Sequence, residues 1–191
     1  MRYSSDHKKE ARAQLLAATG RGFRKRGFGG IGVDGLAKEG RVTSGAFYGH
    51  FGSKDEAFKE TLTEGLDEFQ HGVEQLQEEL GSAWLPAFID FYMEFRRTCD
   101  LSESCALQSL TVDVIRSTDD IKERFENRVQ KIAMVIATGL TGSSQKDRED
   151  RAYALLSILS GGVTMARAVT NQELSAKMAA AVKSAALQIA A

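Results

Sequence analysis

Thr43, Ser44, Gly45, Tyr48, Gly49 and His50 form the outward face of a short helical stretch, and all are small, hydroxylic or aromatic. Their chemistry is hydrogen bonding at close range. Hydroxyls, a phenol and bare backbone N–H groups can meet the donor and acceptor edges of bases and the oxygens of phosphates, with little bulk in the way. A glycine inside a helix costs about 1 kcal/mol relative to alanine. Gly45 and Gly49 therefore need a reason, and close approach to a surface such as the major groove of a duplex supplies one.

The elements around this stretch must position it. Val33 to Glu39 reads as a helix with Val33, Leu36 and Ala37 on one buried face, and Gly40 to Val42 as a tight turn. Thr43 to His50 is the second helix, to which Val42, Phe47 and Phe51 supply the apolar side, so the two pack as a helix-turn-helix. Ahead of them Asp6 to Arg26 is periodic, with Leu15, Leu16, Thr19 and Phe23 inward and Lys8, Lys9, Arg12 and Arg21 outward; a glycine-rich connection, Gly27 to Gly32, follows. Behind them Ser53-Lys54-Asp55-Glu56 is a capping box, and apolar residues at spacings of three and four from Phe58 to Leu80 predict one long helix. Charge follows the same division. Residues 1 to 54 hold 11 Lys or Arg against 4 Asp or Glu, a net of +7, and the remainder holds 14 against 22, a net of −8. A basic module on an acidic body suits gripping a polyanion at one end only.

Leu16-x-Ala18-Thr19, Phe23, Gly27-Phe28, Val33, Leu36-Ala37, Val42-Thr43-x-Gly45, Phe47-Tyr48, His50-Phe51 and Ser53-Lys54 together resemble the N-terminal signature of the TetR/AcrR family of bacterial transcriptional repressors. The resemblance covers about the first third of the chain. It implies a helix-turn-helix DNA-binding domain over 1–53 and a helical effector-binding and dimerisation domain over 54–191. On this reading Thr43, Ser44, Gly45 and Tyr48 lie near bases, and Lys8, Lys9, His50 and Lys54 near phosphates. Two positions depart from the pattern. Gly32 stands where the family carries a capping threonine or serine, so phosphate contact there falls to backbone N–H groups near Val33. Gly40-Arg41 replaces Ala-Gly in the turn, so either Arg41 adopts a positive φ at about 1 kcal/mol or Gly40 takes that role, and Arg41 adds a cation beside the DNA face.

The body reads as all-α, giving about nine helices in total, since alternating Val/Ile/Thr runs are missing and the chain has a single proline. Trp84, Phe88, Phe91, Tyr92 and Phe95 concentrate aromatic area at helical spacing. Core packing accounts for such a stripe; the resemblance adds that some of it, with Leu107, Leu110 and Phe125, lines an effector pocket. Cys105, at a helix start, is a candidate redox or electrophile sensor, with buried inert thiol as the plainer alternative. The last two helices are rich in small residues. Close helix approach through Ala152, Leu155, Leu159, Gly162, Val163, Ala166, Met178, Val182 and Ala185 fits either packing within one chain or a symmetric interface between two, and the resemblance implies the dimer.

Several classes are disfavoured. Two cysteines, Cys99 and Cys105, and three histidines, His7, His50 and His71, show no metal-ligand spacing, no nucleophile elbow and no phosphate loop, so neither a metal, a cofactor nor catalysis is expected. No signal-type core or membrane-length apolar run occurs, so a cytoplasmic, nucleoid-associated bacterial protein is expected, without a membrane partner. The expected function is a homodimeric repressor on a palindromic operator, released by a small molecule or by thiol modification; its partners are duplex DNA, a second copy and that effector. The competing reading is an effector-independent helical protein of chromosome organisation.

Overall fold

The structure is a computed structural model that describes the backbone of residues 2–190 and the side chains of residues 8–190. Nine α-helices and two short 3-10 turns make up the described residues, with no strand among them. They are α1 (Arg2–Gly30), α2 (Val33–Glu39), α3 (Ser44–Phe51), α4 (Lys54–Leu80), α5 (Trp84–Thr98), α6 (Ala106–Ile115), α7 (Asp119–Thr138), α8 (Gln145–Arg167) and α9 (Gln172–Ala190).

Two compact units divide them: residues 1–65 with 101–125, and residues 66–100 with 126–191. The segment carrying α6, which follows the long helix in sequence, thus belongs to the same unit as the helix-turn-helix. Polar clasps and one close approach explain this. Arg24 Nε donates to the Ser102 carbonyl at 2.8 Å, the Phe28 N–H donates to Asp113 Oδ2 at 3.0 Å, and a Cβ at Gly65 would lie 2.6 Å from that of Ala106. The Phe28 contact exists because the chain breaks at Gly27, whose φ of 69° and ψ of 168° interrupt α1. A side chain there would be strained, and its Cβ would lie 3.3 Å from Asp113 Oδ2.

The core of this first unit is aromatic and aliphatic. Phe58 of α4 meets Phe23 and Phe28 edge-on, each with ring centroids 5.2 Å apart, while Leu15, Leu36, Phe47 and Leu62 are fully enclosed. At its edge Lys59 donates to Asp120 at 2.7 Å and to Glu56 at 2.8 Å, and the Lys59 ammonium, then the Thr118 hydroxyl, hold the Asp120 carboxyl down at about 2. Because that value lies below the ordinary 3.8, the clasp is intact at neutral pH and is lost as pH falls from 3.8 toward about 2.

In the second unit α5, α8 and α9 pack on one another. Trp84, Phe88, Ile89, Tyr92 and Met93 form the inner face of α5, and Phe69 meets the rings of Phe88 and Tyr92 edge-on at 5.9 and 6.0 Å. Gly162 of α8 is a contact that only glycine permits, since a Cβ there would lie 2.7 Å from both methyls of Val182 on α9. No helix among the described residues is long and apolar enough to cross a membrane.

Candidate nucleic-acid interface

Starting from the turn, the open question at Gly40 and Arg41 has a packing answer. A Cβ on Gly40 would run into Leu15 Cδ1 at 2.2 Å, so α1 leaves no room for a side chain there. Gly40 itself sits in ordinary right-handed geometry, at φ −81°, and the positive φ of 55° falls on Arg41. The turn closes through Arg41 N–H to Lys38 O at 3.1 Å and Val42 N–H to Ala37 O at 2.9 Å. Arg41 is exposed beside the entry to α3.

Thr43 caps α3, its hydroxyl oxygen accepting from the Ala46 N–H at 3.2 Å. Phe47 and Phe51 anchor the inner face, and Phe47 is completely enclosed. On the other side Thr43, Gly45, Tyr48 and Gly49 are exposed, with Tyr48 at 51%, and Ser44 and His50 are half-buried. The surroundings of the two glycines are informative. A Cβ at Gly49 would meet nothing within 4 Å, and one at Gly45 only the Thr43 hydroxyl oxygen at 3.9 Å. Nothing within the described residues requires glycine at either position.

Ser44 and Asp34 meet across the outside of the helix-turn-helix, the serine hydroxyl donating to Asp34 Oδ1 at 2.5 Å. Asp34, in the first turn of α2, is a residue that the sequence reading passes over, since it is one of four carboxylates among residues 1–54 and nothing local sets it apart. Gly32 caps α2 with extended backbone and no side-chain hydrogen bond, which leaves the N–H groups near Val33 without a hydroxyl partner at that cap.

Lys54 opens α4 and has an internal task as well. Its Nζ donates to the Phe28 carbonyl at 2.6 Å and lies 4.2 Å from the centre of the Phe28 ring, so it clasps α1 to α4 through a charge-assisted hydrogen bond and a cation–π contact. Ser53 accepts from Glu56 N–H at 3.0 Å, while the Glu56 carboxylate turns to Lys59. Lys8 and Lys9 are exposed on α1. Arg24 is drawn inward to Ser102 and Arg26 lies 3.8 Å from Glu39, which sets both apart from the free lysines of the arm. The His7 side chain lies outside the described residues.

Elsewhere the structure redistributes the sequence candidates. Trp84, Phe88 and Tyr92 are buried in the second unit, and Leu107 and Leu110 in the first, where Phe125 is half-buried. Phe91 and Phe95 do not join an internal pocket. They are 43% and 45% exposed and stack on each other with centroids 5.2 Å apart, because α5 turns positions 88, 89, 92 and 93 inward and leaves 91 and 95 outside. The Arg96 guanidinium covers both rings. Cys105 caps α6 and is only 4% exposed, so its thiol is enclosed by protein.

The stripe expected at a dimer interface packs largely within the subunit. Ala152, Leu155, Leu159, Gly162, Val163 and Ala166 are buried inside the subunit, where α8 meets α5 and α9, and Met178, Val182 and Ala185 are half-buried on the α9 side. At Gly162 the missing side chain serves the close approach of α8 to α9 in one chain. The opposite side of α8 carries Tyr153, Ser157, Gly161 and Met165 at i, i+4 spacing, all exposed, with Met165 at 62%.

Residues 15–61 match the family model for bacterial regulatory proteins of the tetR family. No curated protein matches the chain in sequence. Among solved structures, the reduced form of NemR from E. coli superposes with a TM-score of 0.79 at 19% identity, over 95% of this chain and 97% of that one. A TetR-family regulator from Agrobacterium tumefaciens gives 0.78 at 12% identity, over 96% and 99%. FadR from Bacillus subtilis, solved with stearoyl-CoA, gives 0.70 at 12% identity, over 94% and 97%. At these identities the likeness is one of fold, and it runs the length of the chain.

Proposed function

We infer that this chain, a transcriptional regulator of the TetR family, works as a homodimeric repressor on a near-palindromic operator and is released by a small-molecule effector. The observation that carries the DNA-binding part is the outer side of α3. It offers hydroxyls, a phenol and two glycines that no internal contact requires, on a unit whose first 54 residues carry a net of +7. Thr43, Ser44, Gly45 and Tyr48 face bases, and Lys8, Lys9, His50, Lys54, Arg41 and the N–H groups near Val33 face phosphates. Two heads, one per subunit, occupy successive major-groove faces.

Dimerisation uses the exposed stripe of α8, Tyr153 to Met165, with exposed Leu174 and Leu187 of α9 as further apolar area. An effector acts by binding one spacing of the heads more tightly than the other, since equal affinity for both would shift nothing. The known complex of FadR with stearoyl-CoA supports a small ligand as the class of effector. Release by thiol chemistry at Cys105 has less support, because the thiol is enclosed. The edge-to-face packing of Phe69, Phe88 and Tyr92 favours the reading without an effector, and a screen for ligands that raise the melting temperature separates the two.

Mapping the genomic fragments retained by the purified protein tests the operator directly. A second test uses Lys54→Ala, which is expected to weaken binding to every duplex and to lower the salt dependence by about one unit per head. The same change frees the Phe28 carbonyl from its charged donor, so the melting temperature should fall by the equivalent of roughly 1–2 kcal/mol. Lys54→Arg keeps the charge and should restore most of the salt dependence. An unaltered salt slope in Lys54→Ala would leave the lysine with its internal clasp alone.

A further inference from the structure

We propose that Asp34 and Ser44 form a reading element made only of acceptors, which selects a base with an exocyclic amino group in the major groove, cytosine before adenine. The proposal rests on the DNA-binding reading of the preceding subsection and names what that site prefers.

A carboxylate cannot donate, so in the 2.5 Å contact between the two residues the serine hydroxyl gives its one proton to Asp34 Oδ1. What remains toward solvent is lone pairs: those of the serine oxygen and those of Asp34 Oδ2. Asp34 is exposed in the first turn of α2, Ser44 is the first residue of α3, and Gly45 beside it adds no side chain to block access. No Lys or Arg among the described residues forms an ion pair with Asp34. A carboxylate on the outer edge of a module with a net of +7 works against phosphate attraction, so the arrangement costs general affinity. Specific recognition offsets that cost.

The major-groove edges differ in what they offer such a pair. Guanine presents acceptors at N7 and O6, and thymine an acceptor at O4, so both repel lone pairs. Adenine offers the N6 amino group next to the N7 acceptor, a mixed surface. Cytosine offers its N4 amino group with no acceptor beside it on that edge, and carboxylate to cytosine N4 is an established geometric match. The order of preference is therefore cytosine, then adenine, with guanine and thymine excluded.

The bland alternative is that the Ser44 to Asp34 bond is a clasp that sets the angle between α2 and α3 and touches no base. Selection from randomised duplexes, sequenced after retention on the wild type, Asp34→Asn and Ser44→Ala, separates the two. Asn has nearly the same shape and brings a donor with its acceptor, so a base reader should move toward adenine, where N6 and N7 accept such a pair. At the half-site position where the selected sets differ, the wild type should carry cytosine in preference to guanine or thymine by about tenfold. Ser44→Ala should weaken that preference by leaving the carboxylate unheld. Guanine or thymine at that position in the wild-type set would overturn the proposal. So would an Asp34→Asn set with unaltered base preference and uniformly tighter binding, the signature of a clasp relieved of its charge. If the wild type retains no duplex, the DNA-binding reading itself fails and this one falls with it.

Discussion

Gly45→Gln is expected to give a protein that folds at least as stably as the original and binds every operator about a hundredfold more weakly. The two effects have separate causes. A Cβ at this position meets only the Thr43 hydroxyl oxygen at 3.9 Å, so the side chain has room in the free protein. Glutamine is also the better helix former, by up to about 1 kcal/mol, though the gain shrinks near the start of a helix. In the complex, the same side chain stands where the N-terminal turn of α3 must approach the groove floor. A loss of about 1.4 kcal/mol in each of two heads multiplies to that hundredfold. Thermal unfolding and fluorescence anisotropy on a retained fragment measure the two signs independently. Equal affinity in the variant would show that the turn does not enter a groove.

The opposition of signs is what makes the glycines informative. A glycine kept for packing, such as Gly162 against Val182 or Gly40 against Leu15, can be explained inside the subunit, and its replacement destabilises the fold. Gly45 and Gly49 have no such partner among the described residues, which is what the proposed approach to a duplex would require. Only the positions of neighbouring atoms divide the two kinds of glycine.

The same limit explains which parts of the fold could be read from sequence and which could not. The bounds of α2 and the start of α4 follow from local signals, a glycine at one helix end and a serine cap at the other, and the structure has Val33–Glu39 and Lys54 at those places. The turn is different, because the space that Gly40 must leave is filled by Leu15, a residue on another helix, while the left-handed backbone falls on Arg41. Periodicity also identified an apolar stripe from Ala152 to Ala166, and burial confirms it as a packed face. Periodicity cannot say whose atoms cover a face. For α8 the cover comes from α5 and α9 of the same chain, and the side that stays exposed carries Tyr153, Ser157, Gly161 and Met165. Phe91 and Phe95 illustrate the reverse case, where composition suggested an interior and the helix phase puts them outside. Asp34 went unnoticed because its meaning depends on a hydrogen bond to a residue ten positions away.

Met165→Glu carries the argument to the assembly. Met165 is 62% exposed, so a charged replacement leaves the subunit within about 0.5 kcal/mol of its original stability. In a two-fold interface each substitution occurs twice, and two carboxylates would be desolvated without partners, which a helix-to-helix dimer does not withstand. The variant should therefore sediment as a monomer at concentrations where the original is a dimer. Its affinity for a full operator should drop by about 10²–10⁴, because the second head loses the millimolar effective concentration that linkage to the first provides. Binding to an isolated half-site should be unaltered, which distinguishes loss of pairing from damage to the head. Leu155→Glu is the contrasting control. Leu155 is wholly buried within the subunit, so the same charge there should unfold the second unit and leave no soluble monomer to compare. A dimer that survives Met165→Glu, with operator affinity intact, would mean that some other surface joins the two copies.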